Sequence, residues 1–326
     1  MTANIIDSVR DDSAKNYYTP VIALTGFDNK AEEKFRDLNS SDITVLTYDG
    51  PDGRWRDIIK NKVLASIPSK RYEFVILCAL DKEANAYEGA GYQVGERKII
   101  KGLACREIKI DEKIGVIVTA PRMGLVSAAI TCANSINLFQ PRLVCMSGIS
   151  AGVHDKAKIY DVVIPDICFQ NDSGKWKRGR FELEAYPVQI EHNLKLRIEN
   201  SIAHSHFKNK ISEGISLKKS EIPDGVEELD FNIYCAPASS GSSVVADKTV
   251  AVELIGQHRK LSAFEMESYA IYEAARLSNL TPLFFSAKSV VDIGTETKND
   301  DFHRVACLLS AKVVYQLIAS GVATSQ

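Results

Sequence analysis

The chain is 326 residues long, carries a formal net charge of −2, and is 45% hydrophobic and 25% charged. That is an ordinary globular composition, long enough for about two domains and a sizeable core. The near-neutral balance excludes a global basic field for nucleic acid or membrane surfaces, so any anion site must be local, and no apolar run reaches the roughly 18 residues of a bilayer span. Met1 to Asp12 hold no apolar stretch of a secretory leader. The seven cysteines are odd in number and form no CxxC pair, which reads as reduced thiols in a cytoplasmic protein. His204 and His206 are the one close histidine pair, and a solvated loop or helix end explains them better than a metal. No metal and no cofactor are expected.

In chain order, Pro20–Gly26 reads as a strand, Lys30–Leu38 as a helix, Ile43–Thr47 as a second strand and Trp55–Ala65 as an amphipathic helix. This stretch resembles the second half of a response-regulator receiver domain, with Thr25 ending a strand. The resemblance is partial: the phosphoacceptor and paired acids would lie upstream of Met1, and Tyr48 stands where the receiver's final-strand Lys would be. Residues 1–70 are therefore expected to be a small α/β receiver-like segment for regulation or docking, a plain α/β appendage being the alternative.

From residue 71 to 326, short and nearly continuous apolar runs recur at Phe74–Leu80, Ile114–Ala120, Leu143–Ile149, Asp161–Cys168, Ile233–Ala238 and Leu283–Val291. Runs without alternation suit strands buried on both faces. Helical patterns lie between them. Gly124–Phe139 places Val126, Ile130, Ala133 and Ile136 at helical spacing, Met266–Leu277 does so with Ala270, Ile271, Ala274 and Ala275, and Phe302–Ile318 is a third. The polar segment Glu191–Asp230 suits a helix plus a long excursion. Alternation of this kind predicts an α/β domain with a largely parallel sheet, whose chemistry collects at the carboxyl ends of strands.

Three carboxylates stand at such exits. Glu83 follows the first run in Cys-Ala-Leu-Asp-Lys-Glu, Glu267 ends Phe-Glu-Met-Glu before a helix, and Asp292 ends Lys-Ser-Val-Val-Asp. Singly, each is most often a helix cap or a surface acid. Together they predict a site.

The strings Ala79–Glu83, Ser147–Gly152, Glu265–Ala270 and Lys288–Lys298 resemble, in order and spacing, the nucleoside phosphorylase and methylthioadenosine/S-adenosylhomocysteine nucleosidase family. The resemblance implies a twisted mixed sheet closing toward a barrel and flanked by helices. It implies that Asp292 protonates purine N7 and that Glu267 holds the ribose hydroxyls with Met266 against the sugar. It further implies that Glu83 positions water in the hydrolysing branch. Ile149 and Ser150 fall in the loop lining the base and nucleophile pocket, and Val244 and Val245 at the base-stacking position. Glu265 and Lys288, in the same strings, are counted among the substrate contacts. Such acids answer the chemistry: departure of the base develops an oxocarbenium-like cation on the sugar and negative charge on the base.

Glu83 favours water as nucleophile. Arg122, in Pro-Arg-Met-Gly, points either to phosphate or to a structural ion pair. The basic run Lys175, Lys177, Arg178 and Arg180 is either a solvated loop or a lid over a polyphosphate. With the receiver-like segment, the chain resembles the ATP nucleosidase effectors of two-component-like antiphage systems. That resemblance implies adenine release from ATP or dATP and an upstream sensor; the nucleosidase family's pockets, completed across a dimer, imply a homo-oligomer, and the near-neutral charge predicts no nucleic-acid partner. A housekeeping adenosine, methylthioadenosine or S-adenosylhomocysteine nucleosidase, a purine nucleoside phosphorylase, and a non-catalytic nucleoside sensor are the alternatives.

Overall fold

The computed structural model describes residues 21–25, 43–47, 55–60, 72–223, 226–243, 252, 255–293 and 300–323. The chain divides into two compact units, Met1–Ser69 and Lys70–Gln326. In the first, β1 (Val21–Thr25) pairs in parallel with β2 (Ile43–Thr47) from Val21↔Ile43 to Thr25↔Thr47, and 55–60 is helical. The helix expected at Lys30–Leu38 and the position of Tyr48 lie outside the described residues.

The second unit is built on a ten-stranded sheet. Its centre is three parallel strands in matched register: β3 (Phe74–Cys78), β7 (Leu143–Gly152) and β14 (Leu283–Asp292), with Leu143 beside both Phe74 and Leu283. All five residues of β3 are buried, as expected of an apolar run covered on both faces. β6 (Lys113–Thr119) extends this edge in parallel, and β5 (Leu103–Ile110) and β4 (Lys98–Ile100) follow antiparallel. β5 alternates buried with exposed residues, so its pattern contains no continuous run.

On the other side the sheet closes. β14 pairs both β7 and β8 (Val162–Gln170), β8 pairs β12 (Ile233–Ser240), β12 pairs β13 (Ala263–Glu265), and β13 returns antiparallel to β7. These five strands form a ring, the closure toward a barrel implied by the sequence motifs. The two-residue β11 (Val188–Gln189) borders β8.

Two helix layers flank the sheet. α2 (Leu125–Phe139) packs on α5 (Ser268–Arg276), and α1 (Asp81–Gly89) packs on α6 (His303–Ala319). α3 (His192–Ala203) and α4 (Ser205–Ser212) make up the polar excursion. The span Asp300–Ala319 contains an 18-residue window with the length and mean hydropathy, 1.2, of a membrane-crossing segment, yet 67% of that window is buried inside the fold, where the helix packs against β7, β14 and α1. It is the core helix of this unit.

The apolar face of α2 is not the one its spacing suggested. Val126 and Ile130 are 66% and 56% exposed, while Ser127, Ala128, Thr131, Cys132, Ser135, Ile136 and Phe139 are buried. Small side chains on the inward stripe bring α2 close to α5, where Cys132 Sγ reaches the Ile271 carbonyl at 3.7 Å; interaxial distance follows the size of the contact residues. The basic run is a hairpin, β9 (Gly174–Lys177) with β10 (Arg180–Leu183), turning through Arg178 and Gly179. Both turn residues have positive φ, 49° and 78°, the geometry of a tight two-residue hairpin turn.

Candidate active site

Because β3, β7 and β14 run parallel, the segments that leave their carboxyl ends meet at one edge. A cavity of about 550 Å³ opens there, lined by Ala79–Glu83, Ile149–Ala151, Phe264–Glu267, Val291 and Asp292, with Met123, Ser243, Asp300 and His303 at its margins.

Glu83 stands in the first turn of α1 and turns back over the strand exit. Its Oε2 accepts the Ala79 and Leu80 N–H groups at 2.8 and 3.0 Å, and its Oε1 accepts Ile149 N–H at 3.2 Å. Reaching back to the N-cap amide is the acid's half of a capping box. The bridge to β7 requires glycine at 148, since a Cβ there would lie 2.6 Å from Glu83 Oε1. This gives the Ser147–Gly152 string a physical meaning: the glycine makes room for a buried carboxylate.

Glu267 arrives by another route. It follows β13, which is antiparallel to β7, so closure of the sheet rather than a parallel exit delivers it. Its Oε1 accepts Gly124 N–H at 3.0 Å and its Oε2 lies 3.1 Å from Lys288 Nζ. Gly124 has φ 105°, which favours glycine, and begins α2.

Glu265 lies at the wall, with its oxygens already engaged. They accept Glu267 N–H at 3.0 Å, Ser268 N–H at 2.8 and 3.0 Å, and the Ser268 hydroxyl at 2.9 Å, and they also meet Ser240 Oγ. It caps α5. It lines the cavity as well, so the expected substrate contact shares its carboxylate with this structural role.

Lys288, also expected among the substrate contacts, is instead placed beneath the acids. It is wholly buried in the middle of β14, 3.2 Å from Glu265 and 3.1 Å from Glu267, and lies off the cavity lining. Burial alone would lower its pKa, but Glu267, Glu265 and Glu83 together hold the ammonium well above its ordinary range. Burial pushes the Glu83 carboxyl upward and Glu267 adds to the rise, while Lys288 and the amides of Leu80 and Ile149 oppose it.

Asp292 owes its direction to a bulge. Val290 is paired with Ser150 and Asp292 with Ala151, so Val291 is the extra residue. A regular strand alternates its side chains between faces; the bulge lets consecutive residues Val291 and Asp292 both line the cavity. Ser150 is buried beside them, and its hydroxyl has no hydrogen-bond partner among the described residues. Such an orphan points to a water or ligand.

The profile of the phosphorylase superfamily matches residues 73–319. The chain belongs to that superfamily. Among curated relatives, this superfamily member is 26% identical over 204 residues to the uncharacterized protein y4jS of Sinorhizobium fredii, covering 61% of this chain and 48% of that one. It is 21% identical over 212 residues to the ATP nucleosidase Cap17 of Escherichia coli, covering 64% and 42%. It is 25% identical over 212 residues to the methylthioadenosine/S-adenosylhomocysteine nucleosidase of Buchnera aphidicola, covering 64% and 80%. The chain thus spans less than half the length of the first two.

Among solved structures, the corresponding nucleosidase of Neisseria meningitidis superposes with TM-score 0.59 at 19% identity, covering 76% of this chain and 98% of that one. Futalosine hydrolase of Helicobacter pylori gives 0.59 at 17% identity, covering 77% and 98%. The fold is shared with both.

Within this phosphorylase-superfamily domain, Glu83, Glu267, Asp292, Met266, Ile149 and Ser150 converge on the cavity, as grouped by the motifs. Val244 and Val245 lie outside the described residues. Arg122 does not converge: it is exposed in the turn before α2, and only its neighbour Met123 reaches the cavity. Lys175, Lys177, Arg178 and Arg180 also stay apart. They are exposed on the hairpin, where Lys177 faces Glu182 at 3.7 Å, and none lines the cavity. His204 and His206 are exposed at the α3–α4 junction, and no described cluster of three His, Cys, Asp or Glu is placed to hold a metal. All seven cysteines are free thiols.

Lining residues that the motifs did not single out are Lys82, Asp81, Asp300, His303, Phe264 and Ser243. Lys82 was within a quoted string, one place from Glu83. His303 carried no sequence signal, because only the packing of α6 on α1 brings it there.

Proposed function

We propose that this chain is a nucleosidase that hydrolyses the bond between adenine and ribose, acting on ATP or dATP as a nucleotide-depleting defence effector. The observation that carries the reading is a charge imbalance. Glu83, Glu265 and Glu267 surround one buried ammonium, Lys288, with Asp292 opening onto the same cavity. Excess negative charge at the site favours a transient cation over a stable anion, and the oxocarbenium-like sugar is such a cation.

In this reading Asp292 donates the proton to purine N7. Glu267, with Met266 beside it, holds the ribose hydroxyls, and Glu83 orients the attacking water. Hydrolysis is favoured over phosphorolysis because Glu83 would repel an incoming phosphate and Arg122 lies off the lining. Likeness to an ATP nucleosidase and to a methylthioadenosine/S-adenosylhomocysteine nucleosidase supports the reaction class. The presence of every proposed acid counts against a non-catalytic sensor. A second reading, the housekeeping nucleosidase, is favoured by the apolar share of the lining: Leu80, Met123, Ile149 and Phe264.

The N-terminal segment is proposed to regulate or dock, through an upstream sensor protein. The exposed Val126 and Ile130 on α2 support a homo-oligomer, and the free thiols a cytoplasmic location.

The test is incubation with ATP, dATP, adenosine and methylthioadenosine, with and without inorganic phosphate, followed by chromatography. Free adenine and a reducing sugar are expected irrespective of phosphate. Ribose 1-phosphate formed in strict dependence on phosphate would replace the hydrolase by a phosphorylase, and absence of adenine throughout would remove both. Asp292→Asn should lower turnover by at least about 10²-fold with an unchanged unfolding midpoint.

A further inference from the structure

The proposed chemistry uses the carboxylates and leaves one stretch of the cavity rim unassigned, where α1 and α6 begin. Lys82, in the first turn of α1, and His303, the first residue of α6, are the only lysine, arginine or histidine side chains among the described lining residues. Lys82 Nζ lies 2.7 Å from His303 Nδ1. We infer that this Lys82–His303 pair is the subsite for the 5′-phosphate groups of a nucleotide substrate, an inference that rests on the nucleosidase reading above.

The pair is not self-sufficient. If the ammonium donates to Nδ1, the ring is neutral and its proton is on Nε2. Asp300 Oδ1 lies 3.0 Å from the same Nδ1, and one nitrogen cannot both accept from Lys82 and donate to Asp300. If the ring instead donates to Asp300, the ammonium loses its acceptor. In either state the Lys82 ammonium, which has three donors, keeps at least two that an anion would accept. No described carboxylate forms an ion pair with Lys82, and the nearby Asp81 is engaged by Arg97 at 3.2 Å. Asp300 is 92% exposed, so its opposing charge is screened. Lys82 also sits in the first turn of α1, whose N-terminal partial positive charge favours an anion.

The rest of the cavity makes the choice sharper. Its interior carries Glu83, Glu267, Glu265 and Asp292, which would repel phosphate. With the base at Asp292 and the sugar at Glu267, the α1–α6 rim is the wall among the described lining residues that offers cations to the 5′ arm. An ammonium there serves a phosphorylated 5′ carbon; a thioether or a plain hydroxyl has no use for it. The hairpin cations, the other basic cluster, are exposed and off the lining.

The test compares kcat/KM for ATP and adenosine in the full chain, in Lys82→Met, in His303→Gln, and in the fourfold hairpin variant with Lys175, Lys177, Arg178 and Arg180 changed to Ala. A charge-assisted phosphate contact is worth about tenfold or more. The ATP-to-adenosine ratio should therefore fall at least about tenfold in Lys82→Met and His303→Gln, mainly through KM, and be restored in part by Lys82→Arg. The hairpin variant should keep the wild-type ratio. Equal losses on both substrates, a ratio unmoved by the two rim variants, or a ratio that falls only in the hairpin variant overturns the assignment. Adenine release with wild-type preference for adenosine or methylthioadenosine overturns the phosphate subsite but not the nucleosidase. No adenine from any substrate overturns the nucleosidase reading itself.

Discussion

Gly148 and Glu83 form one unit, because the carboxylate occupies the space a side chain at 148 would take. In Gly148→Ala, the added Cβ would displace a group anchored by three backbone amides, not the loose end of a flexible chain. We expect turnover to fall at least about tenfold and stability by about 1–3 kcal/mol, read from kcat and denaturant melts. Wild-type kcat in that variant would detach Glu83 from catalysis.

Lys288 is the other hinge of the charge balance. Removing it leaves buried carboxylates uncompensated, and Lys288→Met should cost about 3–5 kcal/mol of stability. It should also move a pH limb. Glu83 is raised above its ordinary range by burial, and Lys288 is the largest opposing influence. A raised carboxyl pKa means that the folded state holds its proton more tightly than the unfolded one. The group's contribution to stability is therefore fully present below the unfolded pKa and is lost as pH rises through the folded value. If ionised Glu83 orients water, activity appears as pH rises through that value, above the ordinary carboxylate range. Lys288→Met should move this acid limb to still higher pH. A limb that stays in place in the surviving variant would assign it to another group.

Among the elements, length and continuity governed what could be read. β3, β7 and β14 carry apolar runs and were legible, because strands covered on both faces favour apolar side chains without alternation. β13 has three residues and β11 two. Stretches so short hold no periodicity, and only their neighbours in the closed ring make them strands. The inward face of α2 was misread because its small residues, Ser127, Ala128, Thr131 and Ser135, do not look like a core stripe; close helix packing selects for size as well as for hydropathy. The outward stripe left by that arrangement has a consequence. If Val126 and Ile130 meet a second copy, Ile130→Glu should shift the wild-type assembly to monomer in sedimentation without lowering the unfolding midpoint of the monomer. A monomeric wild type would leave the stripe as plain surface.

For the molecule as a whole, the division at residues 69 and 70 makes a folding prediction. A fragment of residues 70–326 contains every strand of the ten-stranded sheet and every described lining residue of the cavity. It should unfold cooperatively and still release adenine, whereas a molten fragment would tie the N-terminal unit to the catalytic fold. The α/β alternation and the candidate acids could be taken from the amino-acid order, since apolar runs and motif spacing are local properties, whereas the mixed sheet was implied only by the family resemblance. Folding alone decided which of those groups touch the cavity. Lys288 shares a motif with Asp292 but is buried off the lining. Asp292 reaches the cavity through a bulge in β14, and the hairpin cations stay outside. His303 joins Lys82 across 221 positions because α6 packs on α1. Side-chain direction and contacts between distant segments depend on strand register, sheet closure and helix packing, and none of these is encoded in a short stretch of chain.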